Sequence, residues 1–112
     1  MSLPLRPHTV RILRATAVVT GGVVARTVWN EVATRSGMVS ERQARATQVA
    51  WGLEVGRPAL LYLDAEEADE VVTGDRVMVG TRSYRVVAGP RACTAESRTS
   101  HAVWLLEREG HG

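Results

Sequence analysis

Apolar and polar positions along this chain exchange places residue by residue far more often than they recur every third or fourth residue. A period of two is the signature of strands half-buried in a sheet. Across His8–Ala15 (HTVRILRA), Val10 and Ile12 fall on one face and Thr9, Arg11 and Leu13 on the other. The run AVVTGGVVA sets Gly21 and Gly22 between two pairs of valines. Glycines flanked by β-branched residues predict a hairpin, because the tight turn needs positive φ. A further strand is expected over Val28–Thr34, with Trp29 and Glu31 opposite Val28 and Val32.

The strongest pattern is VVTGDRVMVGTRSYRVVAGP. Gly74-Asp75 opens a strand in which Val77 and Val79 alternate with Arg76 and Met78, Gly80-Thr81-Arg82 turns, and Tyr84, Val86 and Ala88 alternate with Arg85 and Val87. This predicts a second β-hairpin, ended by Gly89-Pro90. Ala59–Leu63 reads as a short buried strand after Gly56-Arg57-Pro58, and His101–Arg108 as a closing strand with apolar residues on both faces. Residues 36–50 are ambiguous. Ser40 and Gln43 have capping-box spacing, which allows a helical turn near Glu41–Ala46, whereas Val49, Trp51, Leu53 and Val55 repeat with period two. The reading is at most one helical turn near Glu41–Ala46, then a strand over Gln48–Val55. Residues 91–100 (RACTAESRTS) are small, polar and aperiodic and predict a loop.

Together these elements predict an all-β domain, a small antiparallel barrel or sandwich of about six strands with long loops. Its organisation is expected to be an extended arm over residues 1–7, a single domain over 8–109 and a frayed end over 110–112. Pro4 and Pro7 keep the arm from starting a helix, and Leu3 and Leu5 are its candidate contacts, to this domain or to a neighbour. A length of 112 residues suits one domain. With no Phe present, the core must be built from aliphatic residues and the few large aromatics, for which Trp29, Tyr84, Val86 and Trp104 are the expected centre.

Charge narrows the picture little. All fourteen basic residues are arginine, scattered along the chain, and the net charge is +2. A GC-rich coding bias explains the missing lysine better than a preference for forked phosphate contacts does. Cys93 is the only cysteine, so there is no disulfide framework and no C-x-x-C pair. No run near the start is long and apolar enough for a signal peptide or a membrane helix, which points to a cytoplasmic product. His8, His101 and His111 lack metal-ligand spacing. His8 and His101 would meet if the first and last strands paired, with Asp75 able to join them. No catalytic residue, cofactor or metal is expected. Asp64, Glu66, Glu67, Asp69 and Glu70 form the densest charge cluster. They lack calcium-loop spacing and its glycine, and read as a solvated loop or as a negative surface past which nucleic acid slides.

The order HTVRIL, VWNEV, ALLYLDAEEADEVVTGDRVMVGTRSYRVVAGP and HAVWLLERE resembles the head-tail connector proteins of long-tailed bacteriophages, in particular the small stopper or head-closure type. The resemblance spans about residues 8–109 and rests on strand and turn patterns; the stretch 34–50 departs from it. It implies a small β-barrel of the virion neck, made in the host cytoplasm and assembled as a ring of six or twelve copies. It implies a portal or adaptor ring above, a tail terminator or tail tube below, and packaged double-stranded DNA passing through without sequence-specific contact, with no membrane. In that setting the acidic cluster Asp64–Glu70 is expected at a ring surface or facing the channel. Other readings are an adaptor or tail-terminator ring of the same neck and, from a different class, a small barrel that binds single-stranded nucleic acid by stacking bases on exposed aromatics.

Overall fold

The computed structural model describes residues 8–41, 44–45, 51–94 and 100–110. Six strands, β1 (His8–Thr20), β2 (Val23–Ser40), β3 (Pro58–Asp64), β4 (Arg76–Val79), β5 (Arg82–Thr94) and β6 (Ser100–Glu109), close into an antiparallel barrel in the order β1-β2-β3-β6-β5-β4. The fold is the expected all-β barrel. Closure gives every strand of the barrel two neighbours, which suits a valine-rich chain.

Period-two alternation fills the interior. Val10 and Ile12 on β1, Leu61 and Leu63 on β3, Val77 and Val79 on β4, Tyr84 and Val86 on β5, and Ala102, Trp104 and Leu106 on β6 make one buried cluster. The indole of Trp104 donates to the Val71 carbonyl at 3.3 Å, so its one polar group is satisfied inside the core. Trp29, expected in this core, is not part of it. It sits half-buried on β2 with the Arg76 guanidinium 4.2 Å from its ring centroid.

β6 is buried on both faces, as its composition predicts. Val103 and Leu105 point outward and pack with Leu60, Val55 and Ala44, and with the half-buried Trp51, Leu53 and Tyr62. The expected strand over Gln48–Val55 is therefore corrected where it can be seen. Residues 51–57 are turn and coil laid over the outside of β3 and β6, and 48–50 lie outside the described residues. Trp51, Leu53 and Val55 alternate because one side of an irregular cover faces the barrel. Of the helical turn, Ala44 and Arg45 are helical, and 42, 43 and 46 lie outside the described residues.

Two further boundaries differ from expectation. β5 does not stop at Gly89-Pro90; it runs on to Thr94 through register shifts between Val86 and Ala88 and between Ala88 and Arg91. The shifts move Val87 and Ala88 onto the outer cluster, and residues 91–94 pair with β6 where a loop was expected. Gly89 makes this possible: its φ is +119°, and a Cβ there would lie 2.9 Å from Trp104 Cδ1 and from the Val103 carbonyl oxygen. Gly37 has a similar role on β2, where a Cβ would meet the Tyr62 carbonyl oxygen at 2.7 Å. The second difference is the length of β1 and β2. The strands expected over His8–Ala15 and Val28–Thr34 are parts of the longer β1 and β2, which meet at Gly21-Gly22 and outrun the barrel.

Candidate functional site

β1 pairs with β4 only over Arg11–Leu13, and β2 pairs with β3 only over Met38–Ser40. Beyond those rows β1 and β2 pair with each other alone, from Arg14 opposite Asn30 to Thr20 opposite Val23. The hairpin therefore leaves the barrel as a two-stranded arm, and the molecule measures 54 × 28 × 24 Å. Gly21 and Gly22, both at positive φ, turn its tip with nothing near them. From Ala15 to Asn30 the arm holds Ala, Val, Thr, Gly, Trp29, Asn30 and one charge, Arg26, with no carboxylate. Val19, Val23 and Val24 are 58%, 68% and 60% exposed.

A sheet wetted on one side alternates apolar and polar faces. On this arm Ala15, Ala17 and Val19 share one face with Trp29, Thr27 and Val24, apolar but for one threonine, and Thr16, Val18 and Thr20 share the other with Val28, Arg26 and Val23, which is mixed. Register shifts at Ile12/Leu13 and Val18/Val19 leave Val32 and Ala25 as extra residues on β2. Leu13, beside the first shift, is buried but belongs to neither core cluster. An isolated ribbon of this kind is marginally stable in water, and its root supplies what it lacks.

Three arginine contacts hold that root. Arg14, on the first β1 row past the barrel, forks onto Asp75: Nε donates to Oδ1 at 3.0 Å and Nη2 to Oδ2 at 2.9 Å. Asp75 is buried and also accepts from the Val72 amide at 3.0 Å. This bond holds the guanidinium charge above the ordinary arginine range. On β2, Arg35 reaches Glu67 at 3.0 Å and Glu70 at 2.6 Å. Arg76 covers the outer face of Trp29 and donates to Glu109 at 2.9 Å. Nearby, Arg11 and Thr34 both bond to Glu31, and the Arg11 bond, with Thr34 second, draws its carboxyl below the usual range.

The acidic cluster is thus no solvated loop. It is a 3-10 turn, Ala65–Glu70, entered through a capping box in which the Asp64 amide donates to Glu67 Oε1 at 3.2 Å. Asp64 is buried at the end of β3, Glu67 and Glu70 are paired with Arg35, and only Glu66 and Asp69 are exposed. Sequence reasoning grouped five carboxylates that the fold divides. The arginine that pairs with Glu67 and Glu70, Arg35, lies far away along the chain, which local spacing does not reveal.

The remaining expected residues fall elsewhere. Tyr84, Val86 and Trp104 are fully buried. The Tyr84 hydroxyl donates to Glu41 at 3.0 Å, and burial, then that bond, push its ionisation above the ordinary tyrosine range. β1 and β6 are not neighbours, so His8 and His101 are not brought together by strand pairing. His8 Nδ1 accepts from the Val39 amide at 3.0 Å, while His101 lies opposite Asp64 with its ring 5.5 Å from Tyr62. Asp75 belongs to Arg14 and joins neither histidine in a site. Among the described residues no His, Cys, Asp and Glu side chains gather as a metal cluster, and no helix is long and apolar enough to cross a membrane. Leu3, Leu5 and His111 lie outside the described residues.

No family model and no curated protein matches the chain. Among solved structures it is similar to the solution structure of protein SF1141 from Shigella flexneri 2a, a Northeast structural genomics consortium target, with a TM-score of 0.66 and 13% sequence identity over 94% of each chain. At that identity the likeness concerns the fold alone, and it covers nearly the whole of both chains.

Proposed function

We propose that this chain is a structural protein of a bacteriophage neck: a stopper-type connector that forms a ring of six or twelve copies between the portal-adaptor assembly and the tail. In this reading the ring helps to retain packaged DNA, which passes through its channel without sequence-specific contact. The observation that carries the reading is the arm. A rigid barrel bearing a long, nearly uncharged ribbon with one apolar face and exposed valines on both is built to be covered by other protein surfaces. The order of strand and turn motifs that resembles the stopper family supplies the identity of those surfaces.

The acidic turn fits this role in a reduced form. Glu66 and Asp69 remain available to a neighbour or to the channel, whereas Asp64, Glu67 and Glu70 serve the fold. The single-stranded nucleic-acid reading loses ground on the aromatics. Trp104 and Tyr84 are buried, and Trp29 and Trp51 each have an arginine, Arg76 and Arg91, 4.2 Å from the ring centroid. Base stacking needs aromatic faces left open.

The test is genetic and visual. Deleting the gene from the phage genome that carries it should give DNA-filled heads that lose DNA and lack tails in electron micrographs, with tail joining restored by purified protein. Normal tailed particles from the deletion would refute the proposal, as would a genome without portal and tail genes.

A further inference from the structure

We propose that the β1–β2 arm is a self-association element that lies across a second copy of this chain, seating Arg26 against the exposed Glu66 and Asp69 of that copy. The inference deepens the ring reading above, and it rests on that reading only for the closure of successive contacts into a ring.

Three observations select this occupant. The first is the chemistry of the arm. Its exposed valines lie on a ribbon whose outer backbone edges are unpaired beyond Leu13 on β1 and before Met38 on β2. Open edges and an apolar face together call for protein cover. A single arginine is too little for a phosphate backbone, which is bound by several cations at once.

The second is charge complementarity. Arg26 makes no hydrogen bond or ion pair among the described residues, and neither do Glu66 and Asp69, all three being exposed. They cannot meet within one molecule. Arg26 stands nine residues up β2 from Arg35, the residue that grips the acidic turn, a separation of about 30 Å along an extended strand.

The third is reach. From Leu13, the last β1 row held by β4, to Thr20 at the tip is seven residues, or about 23 Å. The two shorter dimensions of the molecule are 28 and 24 Å. The arm is as long as one barrel is wide, so it spans a neighbour and ends near that neighbour's far side. Because the arm of one copy meets a different surface on the next, the contact is head-to-tail, the kind that repeats around a closed ring.

Cross-linking tests this directly. In a Cys93→Ser background, Arg26→Cys and Asp69→Cys are made as separate chains, mixed at high concentration and oxidised. The mixture should yield a disulfide-linked dimer, and a chain carrying both cysteines should yield a ladder of oligomers. Pairing Arg26→Cys with Glu54→Cys, an exposed carboxylate position on the 51–57 cover, should give at least tenfold less product. The inference is overturned by any of three results: no dimer, equal product at the control position, or Arg26→Cys alone linking as well as the mixture, which would mean tip-to-tip pairing. A charge swap gives the second readout. By sedimentation, Arg26→Glu should weaken association at least tenfold, and Glu66→Arg with Asp69→Arg on the same chain should restore it; association unchanged by either refutes the contact. A ladder from a protein whose gene proves dispensable for the neck would sink the stopper reading and leave this one standing. Defective particles without any cross-link would do the reverse.

Discussion

Replacing Arg14 by alanine strips Asp75 of two hydrogen bonds at the point where the arm leaves the barrel. The size of the effect follows from the unequal exposure of the pair: the Asp75 side chain is 2% exposed and that of Arg14 43%. Breaking a fully buried pair costs about 3–5 kcal/mol, and an exposed pair is worth about 0–1 kcal/mol. One end of this pair lies in each regime, and the Val72 amide still serves Asp75 after Arg14 is gone. Arg14→Ala should therefore cost about 2–3 kcal/mol. Asp75→Ala should cost about as much, since it removes the same fork and frees the Val72 amide, whose residue is exposed enough to take water. Because both changes remove one interaction, the double variant should fall short of their sum by about 1.5–2.5 kcal/mol. Urea denaturation, followed by the fluorescence of buried Trp104, measures all four corners of the cycle. Amide exchange in residues 15–30 should also quicken in Arg14→Ala, because the root row holds the arm's register. Additivity within about 0.5 kcal/mol would refute the reasoning. So would an arm whose exchange ignores the substitution.

Other substitutions probe the barrel. Gly89→Ala should destabilise by about 2–4 kcal/mol in the same assay, since it combines a positive φ with a close approach to Trp104 and the Val103 carbonyl. Tyr84→Ala should cost about 3–5 kcal/mol as a large truncation in the core, whereas Arg82→Ala, beside the turn, should stay within about 0.5 kcal/mol; midpoints in the reverse order would contradict the assigned faces. Tyr84 also sets a pH dependence. Its folded pKa is raised, so its contribution is fully present below the unfolded value of about 10 and is lost as pH rises through the folded value. Thermal midpoints should fall above about pH 10, and less steeply in Tyr84→Phe; identical alkaline slopes would exclude this origin.

How much of this was legible in the sequence differs from element to element. The β4–β5 hairpin was legible because Val77, Val79, Tyr84 and Val86 alternate around a glycine turn, and both strands bury the same face. β6 was legible for the opposite reason, since apolar residues on both faces fit a wall between two clusters. The period of Trp51, Leu53 and Val55 misled, because an irregular cover with one side on the barrel repeats the strand pattern without strand pairing. β5 outran Gly89-Pro90 because register shifts absorb residues that break alternation.

The site was harder to read. Gly21-Gly22 announced a hairpin, but the end of a barrel lies in which neighbours are missing, and β4 and β3 lie far from β1 and β2 along the chain. Trp29 looked like core and became the seat of Arg76, a partner from another strand. The acidic run looked uniform until Arg35 and the capping box divided it. Alternation reports which side a residue faces, and carries nothing about whether another strand lies beside it.

The proposed ring in a phage neck is tested most directly by the native mass of the complex formed when the purified chain is added to portal-adaptor assemblies of a phage whose genome encodes it. The account predicts a discrete species carrying six or twelve copies, and its loss when Thr16–Val28 is replaced by a short turn that leaves the sheet circular dichroism of the barrel intact. No binding, a single bound copy, or the same ring formed by the armless barrel would contradict it.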